Sequence, residues 1–167
     1  DRSPWWTVMP DVALYLQRVS FLLRQGRPSN DVAFYLPNDD AWARFVPGKV
    51  GSFIEAMNQH LGPDVMPAIL DAGFNLDFVD DTVLAERARA ADGQVAIGQS
   101  SYRAIVLPDV ERMPAATLRA IEAFAKQGVH VFATRRTPAL APGYLATPAD
   151  HADVAAAAGR LFRGAAP

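Results

Sequence analysis

Apolar positions fall into two different rhythms along the chain. Val12, Tyr15, Leu16, Val19, Leu22 and Leu23 recur at three and four residues, the spacing of one helical stripe that needs a surface to bury against. Pro10 suits the first turn of that helix, Gly26 its stop, and Pro28 prevents resumption. The rhythm then changes. Asp31–Pro37 is a short, nearly continuous apolar run, as are Phe74–Val79, Ala104–Leu107 and Val129–Ala133, with a weaker one at Gln94–Ile97. Such runs predict strands covered on both faces. Helical stretches are predicted between them, at about 52–60 with 64–72, at 82–90, at 115–127 and at 151–162. The clearest is 115–127, with Leu118, Ile121, Phe124 and Ala125 on one side and Arg119, Glu122 and Lys126 on the other.

Buried-type strands alternating with amphipathic helices predict an α/β fold, a doubly wound and mainly parallel sheet with a leading N-terminal helix. The division expected is 1–28 for the leading helix and 29–167 for the doubly wound unit. Pro138, Pro142, Gly143 and Pro148 make 134–150 a long loop, either a lid or a segment braced by a neighbour.

Composition narrows the partners. Sixteen basic against eighteen acidic residues cannot supply the counterion release that drives nucleic-acid binding, so no nucleic acid is expected. No apolar run reaches a membrane-spanning length, so no membrane is expected either. The chain has no cysteine, which removes thiolate nucleophiles, thiolate metal sites and disulfides, and leaves the compartment unreadable.

Ligands on a doubly wound sheet bind outside the carboxyl ends of the strands. The turn after the first strand reads Pro37-Asn38-Asp39-Asp40, whose carboxylates would repel a phosphate rather than cradle it. Paired acids could chelate Mg²⁺ together with Asp109, but the plainer reading has Asp39 and Asp40 capping a turn and Asp81 capping a helix that starts near Thr82. Leu107-Pro108-Asp109-Val110-Glu111 lacks both the nucleophile and the glycines of a nucleophile elbow. His60, His130 and His151 share no metal-binding spacing, and His130 reads as a partly buried strand residue with one hydrogen bond. Glu55, Glu86, Glu111 and Glu122 fall on helix surfaces or turns, with nothing to pair two of them across a cleft. No catalytic residue, metal ligand or cofactor is therefore assigned. The candidates that remain are a carboxyl-edge pocket of Asn38, Asp39, Asp80, Asp109 and Arg135, and the Trp5-Trp6 pair, which is either a hydrophobic anchor or a sugar-stacking platform.

Several phrases, read together and in order, carry a resemblance. They are Trp5-Trp6, Tyr15 to Pro28, Asp31 to Pro37, Ala72 to Asp77, Tyr102 to Pro108, Gly128 to Phe132, and Pro142-Gly143-Tyr144 through Leu161-Phe162. This set resembles the later part of bacterial α-L-rhamnosidases of glycoside hydrolase family 106. The resemblance implies a flavodoxin-like, class I glutamine amidotransferase-like accessory domain, preceded by the tail of a catalytic barrel. It implies that the catalytic acids and the calcium site lie outside this chain, and that the parent is a periplasmic or secreted bacterial enzyme acting on terminal rhamnosides. The partners expected are the preceding catalytic barrel domain and a homo-oligomer. The competing reading is a free-standing small-molecule binding or oligomerisation module using the carboxyl-edge turns around Asn38, Asp80, Asp109 and Arg135.

Overall fold

The computed structural model of the protein describes residues 4–49 and 51–162; Asp1–Ser3 of the aromatic opening lie outside them. A 3₁₀ turn, Pro4–Val8, leads into α1 (Met9–Leu23), with Pro10 in its first turn as the sequence predicts. Four strands then build one parallel sheet: β1 (Val32–Tyr35), β2 (Leu76–Val79), β6 (Ala104–Pro108) and β7 (His130–Thr134). Their order is β2-β1-β6-β7, which matches the first four strands of a flavodoxin-like 2-1-3-4-5 sheet. Strand β1 is central, pairing Phe34 with Phe78 on one side and with Val106 on the other.

Side-chain alternation along the central strands sorts the core into two layers. Ala33, Tyr35, Ile105 and Leu107 face a cluster with Leu118, Ile121 and Phe124 of α5 (Ala115–Lys126) and Val154, Ala157 and Ala158 of α6 (Pro148–Leu161). Val32, Phe34 and Val106 face the opposite cluster with Ala41 of α2 (Asn38–Arg44) and Ala56, Met57 and Leu61 of α3 (Phe53–Leu61). Helix α4 (Val65–Asp71) completes that layer through Val65, Met66 and Ile69.

Four expectations fail here. Residues 82–90 are not a helix: a single π-helical turn, Val83–Arg87, gives way to an antiparallel sheet of β3 (Arg89–Ala91), β4 (Gln94–Ile97) and β5 (Ser100–Tyr102). The cause is Asp92-Gly93, where both residues have positive φ (53° and 74°), as a two-residue primed hairpin turn requires. Coverage on both faces also fails for the outer strands, since Phe78 of β2 and Phe132 of β7 are each about half exposed. His130 is exposed rather than partly buried, and its ring lies alongside Phe132, with centroids 6.4 Å apart. Finally, residues 38–44 form helix α2 where only a turn was expected.

The leading helix is the outlier of the fold. No residue of α1 is buried, and Tyr15, Leu16, Phe21, Leu22 and Leu23 are all well exposed. A second apolar surface opens beside α4. It is a groove of about 730 Å³ whose walls include Val32, Val65, Ala68, Phe74, Val106 and Phe132. Among the described residues no helix is long and apolar enough to cross a membrane.

Candidate functional site

The four parallel strands deliver their following turns to one edge, and each turn carries charge. After β1, Asp39 and Asp40 enter the first turn of α2, but neither caps it. Asp40 is fully buried and serves the neighbouring turn instead. Its carboxylate accepts the backbone N–H of Glu111 at 2.7 Å, that of Arg112 at 3.1 Å, and the Arg112 guanidinium at 3.2 Å. The expectation that Asp40 caps its own turn is thus corrected: the two orphan amides lie 71 and 72 residues away. After β2, the capping role falls to Asp80, which accepts the N–H of Val83 at 2.9 Å. Asp81 accepts the Tyr35 hydroxyl at 2.8 Å rather than capping a helix. Burial raises the Asp81 and Asp39 carboxyls above the ordinary range, with the Asp81 and Asp40 charges adding to the effect at Asp39. The Tyr35 phenol is likewise pushed up, chiefly by burial and then by Asp81.

After β6, Asp109 adopts a left-handed backbone (φ 47°), which aspartate tolerates better than most residues. Its carboxylate accepts from Arg136 Nε at 2.6 Å, and its N–H donates to Thr134 at the end of β7. His60 of α3 is buried beneath this turn, its Nδ1 3.3 Å from the Asp109 carbonyl and 4.0 Å from a carboxylate oxygen. Its Nε2 has no partner among the described residues. Arg135, also left-handed (φ 65°), pairs with Asp64 at 2.7 Å. These contacts make the His60–Asp109–Arg136 cluster a latch joining α3, β6 and β7. It is not a relay to a hydroxyl or thiol, because the groups it joins are a carbonyl, a carboxylate and a guanidinium.

Of the five carboxyl-edge candidates, Asn38, Asp39, Asp80, Asp109 and Arg135 all lie at strand ends, but the structure does not gather them into one pocket. Asp80, Asp109 and Arg135 are spent on separate partners, and only Asp39 lines the cavity of about 540 Å³ at this edge. Asp40 and Asp109 bind different arginines, and no cluster of three or more metal-ligating side chains occurs among the described residues. Trp5 and Trp6 are exposed in the 3₁₀ turn before α1. Glu122, expected on a helix surface, is buried between α5 and α6, held by Arg160 at 3.0 Å and Lys126 at 3.0 Å. Sequence reasoning missed Arg112, Arg136 and the burial of His60, whose partners are remote in the chain. The 134–150 loop is the braced kind: Ala139 and Leu140 donate to the Glu111 carbonyl, Met113 donates to Leu140, and Ala141 donates to His151 Nδ1.

A parallel sheet with helices on both faces and charged turns at its carboxyl edge defines a doubly wound α/β domain. The family model for glycoside hydrolase family 106, alpha-L-rhamnosidase, matches residues 2–166, and the chain belongs to that family. No curated protein matches it. Among solved structures, the rhamnosidase from Novosphingobium sp. PP1Y superposes with a TM-score of 0.58 at 20% identity, over 90% of this chain and 13% of that one. A beta-galactosidase from Bifidobacterium adolescentis matches at a TM-score of 0.45 and 25% identity, over 67% of this chain and 42% of that one. The chain thus spans a small fraction of the rhamnosidase it resembles.

Proposed function

We propose that this chain is a non-catalytic accessory domain of an α-L-rhamnosidase, bracing a catalytic domain of the same polypeptide that attacks terminal rhamnosides. The observation that carries the reading is α1, an amphipathic helix with no buried residue and eight large apolar side chains exposed to solvent. A helix of this composition contributes little by itself and is matched to a surface it covers. The groove beside α4 and the exposed Phe132 add further apolar surface elsewhere on the chain, and Trp5 and Trp6 are exposed just before α1. Support from the opposite direction comes from the carboxyl edge, where Asp40 and Asp109 are already neutralised by Arg112 and Arg136.

The test has two arms. Assayed alone on an aryl α-L-rhamnoside, the chain gives no turnover; turnover abolished by one carboxylate substitution within it would overturn the reading. In the intact enzyme, Leu16→Asp with Leu23→Asp lowers thermal stability. The same pair in the isolated chain changes stability by no more than about 0.5 kcal/mol, as expected for exposed sites. Equal losses in both contexts would place the partner surface of α1 inside this chain.

A further inference from the structure

The carboxyl-edge cavity has a chemistry that the accessory role does not use. Its volume of about 540 Å³ falls within the range of small-molecule sites. One wall is α2, which presents Asp39 and Trp42; the other is the loop carrying Tyr144, with Arg112 and His151 between. The Trp42 indole packs against Phe53, with centroids 4.3 Å apart, and edge-on against Phe45 at 6.0 Å, yet 60% of the residue stays exposed. Such a ring is a pre-set apolar platform and needs little ordering on binding. Tyr144 stands fully in solvent among the loop residues lining the cavity, and that loop is anchored upstream through the bonds at Ala139, Leu140 and Ala141.

The polar groups are mixed in character. Because His151 Nδ1 accepts the Ala141 N–H at 3.0 Å, the ring hydrogen sits on Nε2, which is left as a donor. Arg112 has one nitrogen committed to Asp40 and Glu111, which keeps the guanidinium oriented and leaves it further donors. Asp39 supplies acceptors, and no hydrogen bond offsets the burial that raises its carboxyl. Asp39 would repel an anion, and Arg112, already paired with Asp40 and Glu111, is left chiefly as a hydrogen-bond donor. A neutral ring with one C–H face and several hydroxyls fits both the aromatic surface and the alternating donors and acceptors.

We infer that this cavity is a saccharide-binding subsite, with Trp42 and Tyr144 stacking a pyranose ring and Asp39, Arg112 and His151 holding its hydroxyls. Choosing a sugar among neutral polyhydroxylated ligands rests on the rhamnosidase-domain reading above.

The experiment is saturation-transfer NMR and calorimetry on the whole chain, with methyl α-L-rhamnopyranoside, methyl β-D-galactopyranoside, galacturonic acid and AMP as probes. A neutral glycoside gives saturation transfer and a dissociation constant of about 1 mM, typical of a small ligand on an open site. Trp42→Ala and Tyr144→Ala each weaken it by about tenfold or more, the scale of one lost stacking contact. Trp5→Ala with Trp6→Ala leaves it unchanged. Circular dichroism and the melting temperature confirm that the variants are folded, and Trp42→Phe restores part of the affinity if stacking is the cause. The inference is overturned by no transfer from either neutral glycoside up to about 10 mM, by affinity undiminished in both aromatic variants, by loss only in the Trp5 and Trp6 variant, or by preferred binding of AMP or galacturonic acid. Binding without turnover supports the subsite. Turnover by the isolated chain would refute the accessory role whatever the outcome here.

Discussion

Replacing Asp40 by alanine tests whether the carboxyl edge is held together from within. The side chain is fully buried, and it accepts two backbone amides and one guanidinium from the turn after β6. Removing it strands both amides, each costing about 1–3 kcal/mol if left unpaired. It also leaves Arg112 without its buried partner; breaking a buried pair typically costs about 3–5 kcal/mol. These contributions overlap, because the same three bonds are counted in both, and Arg112 keeps Glu111 and some access to water. The expected loss is therefore about 3–5 kcal/mol rather than their sum. Against a domain stability of about 5–15 kcal/mol, that is a severe lesion.

Urea denaturation followed by circular dichroism measures it, the midpoint falling by about 2 M for a slope near 2 kcal/mol per M. Asp40→Asn keeps one acceptor but turns an amide donor toward a donor, so it loses about 2 kcal/mol, between alanine and the parent. Hydrogen exchange locates the damage. The amides of Glu111 and Arg112 lose protection, and so do those of Ala139, Leu140 and Met113, which hang on the same turn. A loss under about 1 kcal/mol for Asp40→Ala, or exchange spread evenly over β1 and β6, would refute the reasoning.

Two further outcomes follow from close geometry and from charge. Gly128 has φ 91°, and a Cβ there would lie 3.3 Å from the Cα of Gly93 in the hairpin turn; Gly128→Ala should cost about 1–3 kcal/mol by urea denaturation, with Gly128→Val worse. Glu122 is held at about 2, well below its ordinary range, mainly by Arg160 and then by Lys126. A carboxyl depressed by folding stabilises the native state above its unfolded value of 4.5 and loses that contribution as pH falls toward 2. Glu122→Gln should therefore melt below the parent at pH 6, with the gap closing as pH falls from 5 to 2; a gap that stays constant would show that the Arg160 contact does not depend on the charge.

How much was legible follows from the range of each interaction. The four parallel strands were, because continuous apolar runs such as Val32–Tyr35 and Ile105–Leu107 are local signals of two-sided burial. Helix α5 was too, bounded by Pro114 and Gly128. Two local signals were present but unread. Asp92-Gly93 is a hairpin turn in plain sequence, and Thr147-Pro148-Ala149-Asp150 is the capping box that opens α6, with both reciprocal bonds formed. The edge positions of β2 and β7 were not legible, since an apolar edge strand reads like an interior one until its neighbours are known. Nor were the arginine partners of Asp40, Asp109 and Glu122: these pairings span 27 to 72 residues, and a carboxylate that secures a distant turn looks in sequence like one that caps its own.

The leading helix turns that last point around. A helix of fifteen residues is marginal in water unless it packs its apolar face, and no residue of α1 is buried among the described residues. Its apolar stripe cannot be explained by this domain's stability, because the two core layers are complete without it. Strand β7 poses the same problem in another form, since an outer strand with Phe132 in solvent is a ready template for unwanted pairing or association. Exposed features of both kinds are costly to carry on a free domain. One larger partner surface would resolve both, and for that reason the accessory reading is placed on the faces the chain leaves open rather than on the acids it has already neutralised.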